Sequence, residues 1–568
     1  MRTRLRRETS ARPTAPVDGS DATDSAARGR YRRRSLVATT GLLAAVAGLA
    51  AGLVAGPGAG PAAASGHPVS APVPVPPPDP EPIREPSFPR PVVLLGTAGL
   101  RWSDVSASST PTLAALGETW AVGNVAVRSV RTTTCPADGW LAVSAGTRAA
   151  DLPRGDGCRE LTGPVEGRVA TWDDYLQAAT DDPYDAVPGR LGDTLTEAEI
   201  TAAGIGPGAA VALARTDGSA PERWSPRPDD PADLTALVSG ALRDGARLVV
   251  VDLGAVHDDA SATEVDQALR AALAGASEAD VLVMSLADRG ETPSLQVAAW
   301  GRPRASSPGL LTSASTRQTG IVLGTDVTAT LLGRVGLGGA ERPSWVIGSP
   351  IQRRPPGDGV PGLVDAAQHA SVVQPLVSWF YVGVVVVNLV LFAAVWFGLA
   401  RPPGRRVDEA RRRRVLHRLQ LAGLAVAAVP VSLLLANLVP WWRAASPAAA
   451  LVASAAGIVA GLVTLALAGP WRRSVLGPAG LVAGVTAAVV IVDVLTGSKL
   501  QTSAVFGSSS LLAGRFYGFN NTTFALAAVG TLVAVSAVVA PLVRSGRRLW
   551  AAAVVVAVGA ALTVIDGS

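Results

Sequence analysis

A chain of 568 residues has room for several domains, and an apolar share of 48% with a positive mean hydropathy of +0.31 argues against a purely soluble protein. The net charge of +5 sits mostly in arginine clusters beside apolar runs, so it gives no ground for nucleic-acid binding. Lys499 is the single lysine, and alanine, glycine and valine dominate, a bias of GC-rich, actinobacterial-type coding.

In chain order, residues 1–35 are charged and rich in Ser, Thr and Ala, and read as a disordered cytoplasmic tail. The apolar run 36–56 follows Arg28, Arg30, Arg32, Arg33 and Arg34, which places its N-terminal side in the cytoplasm. An uncleaved transmembrane anchor is the favoured reading. The alternative is a cleaved signal, with Arg33-Arg34 as a twin-arginine motif and Ala62-Ala63-Ala64 as the cleavage site. Pro, Gly and Ala dominate residues 57–90, a semi-extended linker.

From 91 to 350 the pattern is α/β. Short apolar runs at Val92–Leu95, Arg247–Leu253 and Val281–Leu286 predict buried strands, and Ser294–Trp300 predicts an edge strand. Helices are expected over Thr110–Trp120, Ala232–Asp244, Ala262–Ala274 and Thr325–Val335, with Asp233 and Thr325 near helix starts as capping candidates. Strands alternating with helices imply a mostly parallel sheet covered on both faces, with ligands collecting at the C-terminal strand ends. The two cysteines, Cys135 and Cys158, both fall here and most simply form one disulfide in an oxidising compartment.

After a linker at 351–374, residues 375–568 hold six more apolar segments, roughly 375–400, 417–440, 446–468, 475–496, 523–543 and 549–566. Arginine clusters recur on alternate loops: Arg401 to Arg418, then Arg472-Arg473, then Arg544, Arg547 and Arg548. Trp379, Trp396, Trp441, Trp442, Trp471 and Trp550 lie near segment ends, as interfacial indoles do. This asymmetry predicts a multi-pass plasma-membrane protein with a cytoplasmic N-terminus and residues 57–374 extracytoplasmic. Within the bundle, Asp493 stands out as an ionisable residue near a segment end. The glycine-rich stretch 497–522, with Arg515 and Asn520, is unusual for a connector. It reads either as a re-entrant or domain-cupping element with Arg515 facing Asp493, or as an amphipathic loop at the headgroups. The ending Asp566-Gly567-Ser568 directly after an apolar run leads us to expect a longer form.

Five segments, in order, resemble the alkaline phosphatase and sulfatase superfamily. They are Val92–Leu95 with Gly99-Leu100-Arg101; Thr110-Pro111-Thr112-Leu113; Thr134-Cys135-Pro136 leading to Leu141 and Gly146; Ala287-Asp288-Arg289-Gly290; and Asp326 to Leu332. The resemblance implies a hydroxyl nucleophile at Thr134, activated by divalent metal (Zn, Mn, Mg or Ca). The metal ligands it leaves are few. The first-strand aspartate position is Ala98, a histidine position is Arg289, and between 91 and 350 the only histidine is His257. Asp252, His257 and Asp288 remain as an incomplete metal set. Arg101 and Arg289 can instead form a metal-free anion pocket, or pair with Asp104, Asp288 or Glu291, the reading we favour.

The expectation is therefore an alkaline-phosphatase-like α/β domain on an α-helical transmembrane bundle. Its leading role is a catalytically depleted envelope component without a cofactor, in contact with the bilayer and binding an anionic glycan, a lipid or another envelope protein. Two alternatives stand beside it. One is a metal-dependent phosphoester or sulfoester hydrolase or transferase using Thr134; the other is a transport or lipid-handling bundle gated by the external domain.

Overall fold

The structure is a computed structural model, and it describes residues 90–153, 157–339, 342–399, 409–512 and 514–566. The tail, the anchor at 36–56 and nearly all of the first linker lie outside the described residues.

The α/β domain runs β1 (Val92–Ala98), α1 (Pro111–Thr119), β2 (Ala121–Ala126), α2 (Pro136–Ala145), α3 (Trp172–Asp181), α4 (Arg190–Glu197), β3 (Ala202–Ile205), α5 (Pro207–Leu213), β4 (Trp224–Ser225) and α6 (Pro231–Arg243). It continues through β5 (Leu248–Ala255), α7 (Asp259–Gly275), β6 (Asp280–Ser285), β7 (Gln296–Gly301), β8 (Gly309–Ser313), β9 (Ile321–Leu323), α8 (Asp326–Val335) and β10 (Ile351–Arg354). The strands make one ten-stranded sheet in the order β10-β8-β2-β7-β6-β1-β5-β3-β4, with β9 beside β2. β1 pairs in parallel with both β5 and β6, which puts the three longest apolar runs at its centre. Their side chains alternate between two cores: Val92 and Leu94 pack on one face, Val93 and Leu95 on the other. A strand buried on both faces is a continuous apolar run for that reason.

Two sequence expectations change. The stretch predicted as an edge strand is β7, which lies inside the sheet, antiparallel to both β2 and β6. Its polar Gln296 is fully buried and satisfied, accepting from Ser285 Oγ at 2.9 Å. The cap of α6 is Asp230, whose carboxylate accepts from Ala232 N at 2.8 Å, while Asp233 lies one turn in.

The stretch 351–374 is also structured, carrying β10 and then the start of α9 (Gly359–Leu399), a 41-residue helix that leaves the α/β domain and continues into the bundle. The rest of the bundle is α10 (Glu409–Ala436), α11 (Pro447–Ala468), α12 (Gly477–Leu495), α13 (Asn521–Arg544) and α14 (Arg548–Asp566). Among the described residues, five helices, α9 to α13, are long and apolar enough to cross a membrane. Leu363 at the base of α9 packs into the domain core, and its carbonyl accepts from Asn124 Nδ2 at 2.9 Å.

Candidate functional site

The C-terminal ends of β1, β5 and β6 share one edge of the sheet, and α2 points its N-terminus toward it. Thr134 and Cys135 precede α2. Cys135 is its N-cap residue and forms the expected disulfide with Cys158, so the strand-to-helix turn is tied to the loop beyond. Close packing of α2 on this edge depends on Gly139, where a Cβ would stand 2.2 Å from Leu286 O.

Thr134 is only 2% exposed. Its hydroxyl donates to Val127 O at 2.7 Å and accepts from Ser129 N at 2.9 Å. Its main chain is clamped to Asp288 in both directions: Thr134 N donates to Asp288 Oδ2 at 3.0 Å, and Asp288 N donates to Thr134 O at 2.9 Å. The second carboxylate oxygen of Asp288 accepts from Ser294 N at 2.9 Å. Burial raises the Asp288 pKa to about 6, against the lowering effect of these amides and of Gln296.

Asp252, on β5, is likewise spent on main chain. Its oxygens accept from Gly208 N at 2.8 Å and Gly254 N at 2.9 Å, and burial pushes its pKa up, partly countered by Arg227. His257 is exposed at the approach to α7, and its backbone N–H donates to Ser261 Oγ at 2.9 Å. Asp252, His257 and Asp288 are not gathered together, and among the described residues no group of three or more His, Cys, Asp or Glu is placed to hold a metal. A divalent site needs several converging, unspent ligands. The residues here do not fit one.

Arg101 and Arg289 do converge, on Asp104. Arg289 Nη2 donates to Asp104 Oδ2 at 2.6 Å and its Nε to Gly99 O at 3.0 Å; Arg101 Nη2 donates to Asp104 Oδ1 at 3.3 Å. The acid between the two guanidiniums takes the place an anionic ligand would need.

Sequence reasoning passed over the most connected acid of this region, Asp138. It sits in the first turn of α2, fully buried, and accepts from Cys135 N at 3.1 Å, Asp151 N at 2.9 Å, Ser129 Oγ at 3.2 Å and Arg131 Nη2 at 3.0 Å. Burial drives its pKa up although Arg131 and the amides oppose it. The available signal was an acid three residues after a helix cap, the spacing of a capping box. Asp326 at the start of α8 is a second such acid, accepting from Ser315 Oγ at 2.6 Å, Leu323 N at 2.9 Å and Ser349 N at 2.9 Å.

In the bundle, Asp493 and Arg515 do not meet. The Asp493 carboxylate is taken by Leu500 N at 2.7 Å, Gln501 N at 3.1 Å and Gln501 Nε2 at 3.0 Å, whereas Arg515 Nη1 donates to Phe519 O. Asn520 caps α13, accepting from Thr523 N at 2.8 Å.

These features define a membrane-associated protein in which a mixed α/β domain is joined to a bundle of long apolar helices in contact with lipid. No protein-family model matches the chain, and no curated protein does. Solved structures similar to part of it include murine ectonucleotide pyrophosphatase/phosphodiesterase 5, at 17% identity over 36% of this chain with a TM-score of 0.24. An inactive form of the same murine protein in complex with AMP aligns at 16% identity over the same share, also with a TM-score of 0.24. The chain spans 58% of the length of each. The fold described above rests on its own strand order and register.

Proposed function

We propose that this protein is a plasma-membrane component whose extracytoplasmic α/β domain binds rather than catalyses, with an anionic envelope glycan, lipid or envelope protein as its partner. The observation that carries the reading is the state of Thr134. A hydroxyl nucleophile needs an adjacent base or metal and an open approach. The Thr134 hydroxyl is buried, its proton goes to a main-chain carbonyl, and the acid beside it is engaged by two backbone amides. The Arg101 and Arg289 guanidiniums at this edge are both taken by Asp104, so an anionic partner binds elsewhere on the domain. The arginine asymmetry of the loops supports an N-terminus in the cytoplasm and the α/β domain outside.

The test is turnover of aryl phosphate mono- and diesters and aryl sulfate by the full chain, with Zn, Mn, Mg or Ca added in turn. We expect no rate above that of Thr134→Ala. A metal-dependent rate abolished in a folded Thr134→Ala variant would establish the hydrolase reading instead.

A further inference from the structure

The α/β domain meets the bundle around the stretch 497–520, and a cavity of about 700 Å³ opens at that junction. Its polar side carries Arg317 from the turn after β8, together with Arg515, Tyr517 and Asn520; its apolar side carries Leu495 and Phe524, from the adjoining ends of α12 and α13. We propose that this cavity binds the phosphate headgroup of an anionic membrane lipid in the leaflet on the α/β-domain side.

Charge is the first argument. Two guanidiniums line the cavity, no aspartate or glutamate does, and among the described residues neither arginine has a carboxylate partner. The Arg317 guanidinium lies over the Tyr517 ring at 4.3 Å, an arrangement that orients it while leaving its in-plane N–H groups to bond an anion. Arg515 spends one N–H group on Phe519 O.

Position is the second. Leu495 and Phe524 are 57% and 61% exposed and belong to helices apolar enough to span a bilayer, so the cavity mouth lies at headgroup depth. Exposed Val529 and Leu532 continue the apolar surface one to two turns further along α13, where an acyl chain would lie. A soluble anion would gain nothing from that wall.

Preorganisation is the third. Gln318 Nε2 donates to Gly497 O at 2.7 Å and to Phe516 O at 2.8 Å, pinning the domain to both sides of the rim. Ser498 Oγ accepts from Gly518 N at 3.1 Å, and Asp493 holds the 500–501 turn through its backbone amides. A site already in shape loses little on binding. The proposal stands apart from the catalytic question: turnover at Thr134 would leave this cavity intact, and a failed lipid titration would leave the turnover test unaffected.

The experiment titrates the full chain in detergent with phosphatidylglycerol, and with phosphatidylcholine of the same acyl chains, read by native mass spectrometry. We expect one phosphatidylglycerol bound in preference to phosphatidylcholine, with affinity falling as salt is raised. Joint Arg317→Ala and Arg515→Ala substitution should weaken it at least about tenfold, the loss expected for charge-assisted bonds. Arg547→Ala, beyond the opposite end of α13, should leave it unchanged. Equal binding of the two lipids, a salt-independent preference, or wild-type affinity in the double variant would overturn the proposal. So would inorganic phosphate binding with the same arginine dependence while phosphatidylglycerol does not bind. Should the alanine pair fail to fold, the salt dependence of the wild type and a joint Arg317→Lys and Arg515→Lys variant, expected to bind at reduced affinity, decide the matter.

Discussion

Asp288→Asn tests whether that acid is a main-chain clamp or a ligand held ready for a cation. Burial raises its pKa from 3.8 to about 6, so the folded state holds the proton more tightly than the unfolded chain does. The sign follows: the ionised form is penalised in the fold, and stability falls as pH rises from about 4 through about 6. The penalty is about 2.9 kcal/mol at pH 7 and about 1.6 kcal/mol at pH 5, so Asp288 alone makes the domain about 1.3 kcal/mol more stable at pH 5 than at pH 7. Asp138, Asp182, Asp252 and Asp326 are raised in the same direction, while Asp173, Asp217, Asp258 and Asp365 are lowered, so the wild-type slope sums contributions of both signs. The difference between wild type and variant isolates one of them. Asn at 288 turns a donor toward one of the two backbone amides, a pH-independent cost of about 1–3 kcal/mol relative to the protonated acid, and it removes this share of the slope. Urea unfolding of residues 90–370, which keep Leu363 in the core, can be followed through the buried Trp140. Equal pH 5 to pH 7 differences in wild type and variant would refute the reasoning. So would a slope that inverts when zinc or magnesium is added, because a bound cation holds the carboxylate ionised.

Two further substitutions probe the same edge of the sheet. Cys158→Ser opens a loop closed across 23 positions and should cost roughly 3 kcal/mol, seen as a lower urea midpoint that matches reduced wild type. Asp138→Ala strips the acceptor from Cys135 N and Asp151 N and leaves Arg131 without its carboxylate, which should cost roughly 3–5 kcal/mol by the same unfolding assay. A loss under about 1 kcal/mol would mean that water replaces the acid.

The centre of the sheet was legible because it is chemically uniform. β1, β5 and β6 carry the apolar runs Val92–Leu95, Leu248–Val251 and Val281–Met284, the composition expected of strands covered on both faces. The strands that escaped notice are built differently. β2 reads Ala-Val-Gly-Asn-Val-Ala, with Asn124 turned to Leu363 O, and β3 reads Ala-Ala-Gly-Ile, with too little bulk to register as an apolar run. β7 was found but misplaced, since its antiparallel pairing with both β2 and β6 is set by the topology and leaves no local trace. The disulfide was legible from a count of two. The partners of the acids were not, because Asp252 and Asp288 each bond one amide far off in the chain, 44 and 154 residues distant, and amides carry no signature in the sequence.

The acids share one device on both sides of the junction. Asp138, Asp252, Asp288 and Asp326 in the domain, and Asp493 at the end of α12, each accept from backbone N–H groups of a turn that would otherwise be left open. The same logic reaches the membrane. Asp493 fixes the 500–501 turn, the turn presents Gly497, and Gln318 fastens the α/β domain to Gly497 and Phe516 together. With α9 running unbroken from Leu363 into the bundle, the domain is held by a covalent helix, a hydrogen-bonded rim and an apolar cluster in which Leu511 and Phe516 pack on Ala126, Leu295 and Ile321. Tilting the domain away from the bundle would have to break the Gln318 bonds, part Arg317 from Tyr517 and open the cluster around Phe516. The arginine cavity lies on that same rim, so an anion bound there would hold domain and bundle together.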